Sequence, residues 1–388
     1  MAIPLIRPSI KRADMDSVLT CMVSDSLGPG VLGQRLVKET SEYLGCAGGI
    51  ALREYGRAIR LALEALGLEK GARVIVSVLA SRVYRDVFEA MGIEAVYVDV
   101  DEDTGCLSAD NVAAAAEGVS AIVVHASLGF VPDMEALLAL GLPLIEDISQ
   151  AVGAHTGSRK LGALGNYTIV SLEPDGIITA GGGVLLLCRS RREMGALARF
   201  TETLESGTFL PDFNAALGIT QIRNVEKFIQ RRKEIAGIFA HSSAQARHRM
   251  LSQKGEAENI FFSFPVLLAS GMKDVQAYAR KKGVETKAAF TESILAYVPR
   301  ERETADSMDA AAPSASTTPQ PDPTTLQTTP ETLQSDPAAP QSKLKAAIEV
   351  KNFPVARTFL LRCLLFPLYP ALTKTSVEQI ARVLSTLP

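Results

Sequence analysis

Short apolar runs separated by helix-length segments constrain this chain more than any other feature. Arg73-Val-Ile-Val-Ser-Val-Leu79, Glu94-Ala-Val-Tyr-Val-Asp-Val100, Ala121-Ile-Val-Val-His125 and Pro143-Leu-Ile145 carry apolar side chains at successive positions. A strand apolar on both faces must be covered on both faces, as parallel strands are. Between the runs lie helical segments, at about residues 84–91 and 109–117. Strands and helices alternating at this length predict an α/β fold with a mainly parallel sheet and helices on both sides. The 388 residues give room for two to three domains and a large core.

Several function classes are disfavoured by composition. Forty Lys and Arg against 43 Asp and Glu leave a net charge of −3, so there is no electrostatic footprint for nucleic acid or an anionic membrane. The five cysteines (21, 46, 106, 188, 363) include no C-x-x-C pair. That spacing suits isolated thiols in a reducing cytoplasm rather than a disulfide frame or a zinc site, and no metal centre is expected. The opening Met-Ala-Ile-Pro-Leu-Ile-Arg-Pro has no cationic segment followed by an apolar run, which predicts no signal peptide. No uninterrupted apolar stretch has the ~18 residues that a membrane span needs, so a cytoplasmic protein is expected.

Candidate chemistry gathers after the run at 143–145, where Glu146 and Asp147 end a buried strand and Gln150 follows in a loop. The carboxyl ends of strands are where an α/β sheet opens a ligand crevice; equally, Asp147 could simply cap a turn or helix. Upstream, a short strand over Gly49 to Gly56, ending in Tyr55-Gly56, leads to a helix from Arg57 to Leu66. A helix amino terminus after a strand suits an anion, through its unpaired N–H groups and dipole; an ordinary strand–helix turn with a solvated Arg57 fits as well. Farther on, 214–239 reads as an amphipathic helix pair, and 259–266 and 274–282 as strand and helix of a smaller α+β unit. Residues 304–342 are dominated by Ala, Pro, Ser, Thr, Gln and Asp. Such a segment cannot bury enough surface to offset its ordering entropy, and disorder is expected there.

These residues also carry a family resemblance. Ile145-Glu-Asp-Ile-Ser-Gln-Ala-Val-Gly-Ala154 resembles the E-D-x-x-Q-A-x-G-A signature of the DegT/StrS-type nucleotide-sugar aminotransferases. Val98-Asp-Val-Asp-Glu-Asp-Thr-Gly105, His125 to Met134, Phe353-Pro-Val-Ala356 and Leu365 to Thr373 are similar to further motifs of that family, in the same order. The resemblance implies a pyridoxal-phosphate enzyme of the aspartate-aminotransferase fold (fold type I). It further implies a large domain over 1–235, a small C-terminal domain over 236–303 and 343–388, and 304–342 as an insert. It also implies a homodimer, pyridoxal or pyridoxamine phosphate as cofactor, a nucleotide sugar as substrate or ligand, and a place in amino-sugar or surface-polysaccharide biosynthesis. Asp147 would pair with the cofactor's ring nitrogen, Gln150 would lie by its phenolic oxygen, and Ser171, with Gly56 and Arg57, would face the phosphate.

The departures are as specific as the matches. Where the family carries H-x-x-K, whose Lys forms the Schiff base, this chain has Glu173-Pro174-Asp175-Gly176, and no Lys occurs between Lys160 and Lys227. An amine is indispensable for ordinary transamination, so a degenerate member unable to transaminate is expected. Lys160 matches a structural G-R-K-x-G motif instead. The family's S-G-T phosphate motif is reduced to Tyr55-Gly56-Arg57, and its N-Y-R-M segment to Gly207-Thr-Phe-Leu-Pro-Asp212. A non-catalytic binding protein, or a partner subunit of an active paralogue, is the alternative.

Overall fold

The computed structural model describes residues 2–25, 27–244, 246–269, 271–297 and 353–388. The low-complexity segment expected to be disordered, 304–342, lies outside them. The described residues form one compact unit with a seven-stranded sheet, a four-stranded sheet and a two-stranded hairpin.

The larger sheet takes up the apolar runs. Its strands are β1 (Gly48–Leu52), β2 (Arg73–Ser77), β3 (Glu94–Val98), β4 (Ala121–His125), β5 (Leu144–Asp147), β8 (Tyr167–Ser171) and β9 (Val184–Cys188), with the short hairpin β6 (His155–Thr156) and β7 (Arg159–Lys160) standing apart. The order is β1-β9-β8-β5-β4-β2-β3. Five strands from β8 to β3 run parallel, and β9 runs against both its neighbours. The mainly parallel sheet expected from the sequence is therefore present. Burial explains the pattern: every residue of β4, β5 and β9 is buried, so nothing in these strands needs to alternate.

Helices α1 (Arg12–Val23), α2 (Val31–Leu44), α3 (Tyr55–Ala65), α4 (Arg82–Met91), α5 (Ala109–Ala115), α6 (Met134–Ala139) and α7 (Arg191–Thr201) accompany this sheet, followed by α8 (Asp212–Arg223) and α9 (Val225–Ser243). Their ends follow from local chemistry. The Ser81 side chain accepts from the Val83 N–H at the start of α4, and Gly92 ends it at φ 68°, where a side chain would be strained. α3 begins at Tyr55, two residues earlier than the spacing predicts, so Gly56 and Arg57 sit inside its first turn.

A second, antiparallel sheet is built from β10 (Arg249–Met250), β11 (Phe264–Leu267), β12 (Lys287–Ala288) and β13 (Cys363–Phe366), in the order β10-β11-β13-β12. With α9, α10 (Met272–Lys281) and the helix Lys374–Ser385 it encloses its own core, including Phe239, Phe264, Phe366 and Ile380. Arg232 on α9 ties local loops together. Its guanidinium is buried, and Nη1 donates to the carbonyls of Phe261, Phe262 and Leu368 at 3.0, 2.8 and 2.7 Å.

Candidate active site

The parallel register brings the site residues to one edge. His125 and Asp147 end β4 and β5 and lie directly opposite each other in the ladder, while Ser171 ends the next strand, β8. Asp147 is fully buried. Its Oδ2 accepts the hydroxyls of Tyr55 and of Tyr84, the latter at 2.9 Å, and lies 3.1 Å from His125 Nδ1. Its Oδ1 accepts the Ser149 N–H at 3.1 Å and the Ser149 hydroxyl at 2.6 Å. Burial alone would raise the carboxyl's pKa. The neighbouring His125 and the Ser149 and Tyr55 donors outweigh burial and pull it down to about 2, so Asp147 is a carboxylate at any physiological pH. The same burial, with the Asp147 charge beside them, pushes the Tyr55 and Tyr84 phenols well above their ordinary range.

The preceding residue does a different job. Glu146 Oε2 accepts from the Gly162 N–H at 2.7 Å, and Oε1 from Leu164 and Gly165 at 2.7 and 2.5 Å. Strand alternation sends adjacent side chains to opposite faces: Glu146 anchors the 162–165 loop, and Asp147 serves the crevice.

Above Asp147 lies a cavity of about 350 Å³. Tyr55, His125, Ser149, Gln150 and Ser171 line it from the large sheet, with Phe290 and Lys287 from the segment around β12. Gln150 Oε1 accepts from the Leu128 N–H at 2.7 Å, which fixes the amide and leaves its NH₂ as a donor. Ser171 donates its backbone N–H to Ser149 Oγ at 3.0 Å. Glu173, Asp175 and Gly176 also face this cavity; the segment expected to lack the amine contributes carboxylates.

Of the residues singled out from sequence, Gln150, Ser171, Glu173, Asp175 and Gly176 line one cavity, and the buried Asp147 is reached from it through Tyr55, His125 and Ser149, which line the cavity and contact its carboxylate. Gly56 and Arg57 are not among the lining residues. Gly56 packs on α4, where an added Cβ would come within 3.3 Å of Val83 Cγ1, and the buried Arg57 Nε has no hydrogen-bond partner among the described residues. Tyr55, His125 and Lys287 went unnoticed as site residues. The strand-end position of His125 was a usable signal, whereas Tyr55 and Lys287 reach the cavity through tertiary packing alone.

The family's sequence profile, described as the DegT/DnrJ/EryC1/StrS aminotransferase family, matches residues 8–332. The chain belongs to that family. Solved structures agree on the fold. Spr1654 from Streptococcus pneumoniae, in its PMP-form, superposes with a TM-score of 0.81 at 17% identity, over 100% of this chain and 98% of that one; its PLP-form gives 0.80. The sugar aminotransferase CalS13 from Micromonospora echinospora gives 0.78 at 17% identity, covering 99% of both chains. The aminotransferase TlmJ from Streptoalloteichus hindustanus gives 0.78 at 20%, covering 99% of this chain and 98% of that one. Within this aminotransferase fold, the cavity over Asp147 sits where an α/β sheet takes its ligand.

Proposed function

We propose that this family member holds pyridoxal or pyridoxamine phosphate noncovalently in the cavity over Asp147 and does not carry out ordinary transamination. The donor set fits the cofactor: an ionised, fully buried carboxylate at the floor, with the Gln150 amide and the Ser149 and Ser171 hydroxyls around a space of about 350 Å³. When bound, the cofactor supplies an electron sink. In this chain Asp147 would hold the ring nitrogen, Gln150 would donate beside the ring, and Ser171 would face the phosphate. The observation that carries the reading is the wall at 173–176. It offers Glu173 and Asp175 where transamination needs an amine.

Lys287 does present an amine to the cavity from β12, which makes the reading testable. Purified protein is saturated with pyridoxal phosphate, reduced with borohydride and mapped by peptide mass. No stoichiometric adduct is expected on any lysine. A saturable adduct at Lys287 that disappears in Lys287→Met would restore a covalent, transaminase-like role and sink the proposal.

The ligand in this reading is a nucleotide sugar of amino-sugar or surface-polysaccharide biosynthesis, and the location is the cytoplasm, consistent with the unbridged, buried thiols of Cys106, Cys188 and Cys363. Among the described residues no helix is long and apolar enough to cross a membrane. The division into a large domain to residue 235 and a small C-terminal domain is part of the same reading, supported by the two sheets with separate cores. A partner role has its own support, because α1 leaves Met15, Leu19 and Met22 more than half exposed. Such a stripe suits a second copy of this chain, as in a homodimer, or a paralogue of similar surface.

A further inference from the structure

Tyr55 stands between the cavity and the carboxylate beneath it. It is the first residue of α3, it lines the cavity, and its hydroxyl is bonded to Asp147 Oδ2. We propose that Tyr55 is an internal competitor for Asp147: its hydroxyl occupies the carboxylate oxygen that a bound pyridine nitrogen needs, so the cofactor ring is admitted only when Tyr55 swings away. This rests on the cofactor-pocket reading above and adds to it the residue that sets the affinity.

The argument is one of acceptor capacity. A carboxylate offers about four lone-pair sites. Asp147 accepts the Tyr55 and Tyr84 hydroxyls on Oδ2 and two Ser149 donors on Oδ1, four in all, with His125 Nδ1 3.1 Å from Oδ2 without a hydrogen bond. No acceptor site remains for a ring N–H, so one donor must leave. Tyr84 is fully buried and packs edge-on against Phe88 at 6.2 Å between centroids. His125 is fixed within β4, and Ser149 is held in the turn after β5 while accepting the Ser171 N–H. Tyr55 is half-buried; its ring meets Tyr84 edge-on, at 6.0 Å and 85°, and its hydroxyl lies beside that of Tyr84 on the same carboxylate oxygen. Rotation about its side-chain bonds moves the hydroxyl off Asp147 without disturbing a strand.

The test compares the full chain with Tyr55→Phe, which deletes the competing hydroxyl and keeps the ring, and with Tyr55→Ser in case the first variant folds poorly. Each is titrated with pyridoxamine phosphate and pyridoxal phosphate by cofactor absorbance and equilibrium dialysis. Removing a hydrogen bond to a charged acceptor is expected to tighten binding roughly tenfold to a hundredfold. A benzene-ring analogue of pyridoxamine phosphate, with C–H in place of the ring nitrogen, is expected to gain nothing. Equal gains for both ligands would show that Tyr55 only takes up space. Unchanged or weaker cofactor binding in both variants, with binding intact in the wild type, would overturn the competition and leave the cofactor reading standing. No binding by any of the proteins would remove both.

Discussion

Asp147 shows how a single residue couples site and stability. Its folded pKa of about 2 lies below the ordinary aspartate value of 3.8. The stabilisation, about 2.5 kcal/mol at ~1.4 kcal/mol per pKa unit, is therefore fully present above about pH 4 and is lost as the pH falls towards 2. Asp147→Asn is expected to lower the unfolding free energy near neutral pH, with the gap to wild type closing between about pH 4 and pH 2; urea unfolding across that range checks it. A gap that does not depend on pH would mean that the carboxylate's charge contributes nothing. Arg232 is the converse case, a buried cation whose pKa is lowered to about 10 by burial. The three backbone carbonyls around it, rather than an acid, make it tolerable.

At the scale of elements, segments that departed from the family pattern still have structural work. Asp212 ends the altered 207–212 stretch, and its carboxylate accepts from the Leu32 and Gly33 N–H groups, at 3.1 and 2.9 Å, in the first turn of α2. It caps that helix from 180 residues away. Asp212→Ala is expected to cost about 1–2 kcal/mol, the usual worth of a helix cap, measured as a fall in the urea midpoint; Asp212→Asn, which keeps an acceptor, is expected to recover much of it. Elements of this kind were legible in the sequence where burial is two-sided. The runs at 73–79, 94–100 and 121–125 became β2, β3 and β4 within two residues at each end. The start of α3 was not, because Gly56 suggested a turn while the backbone was already helical at Tyr55.

At the scale of the whole molecule, the stripe on α1 predicts assembly. Replacing Leu19 and Met22, each more than half exposed, by Glu is expected to convert a dimer to a monomer in light scattering while leaving the melting profile cooperative; an unchanged mass would place the contact elsewhere. The family fold was legible because its signature residues lie on strand ends, where spacing and partners are local. The site was legible only in part. Asp147, Gln150 and Ser171 follow one another along the chain, but Tyr55 and Lys287 meet them through strand order and through the second sheet, which no local pattern encodes. The paired acids at 146 and 147 make the reason concrete. Because Glu146 carries three backbone N–H groups of the 162–165 loop, its loss would unfold a loop whatever became of the chemistry opposite. Selection for a stable chain therefore preserves half of the signature on its own, and a descendant with no use for a cofactor would go on displaying the motif by which its enzymatic ancestors are recognised.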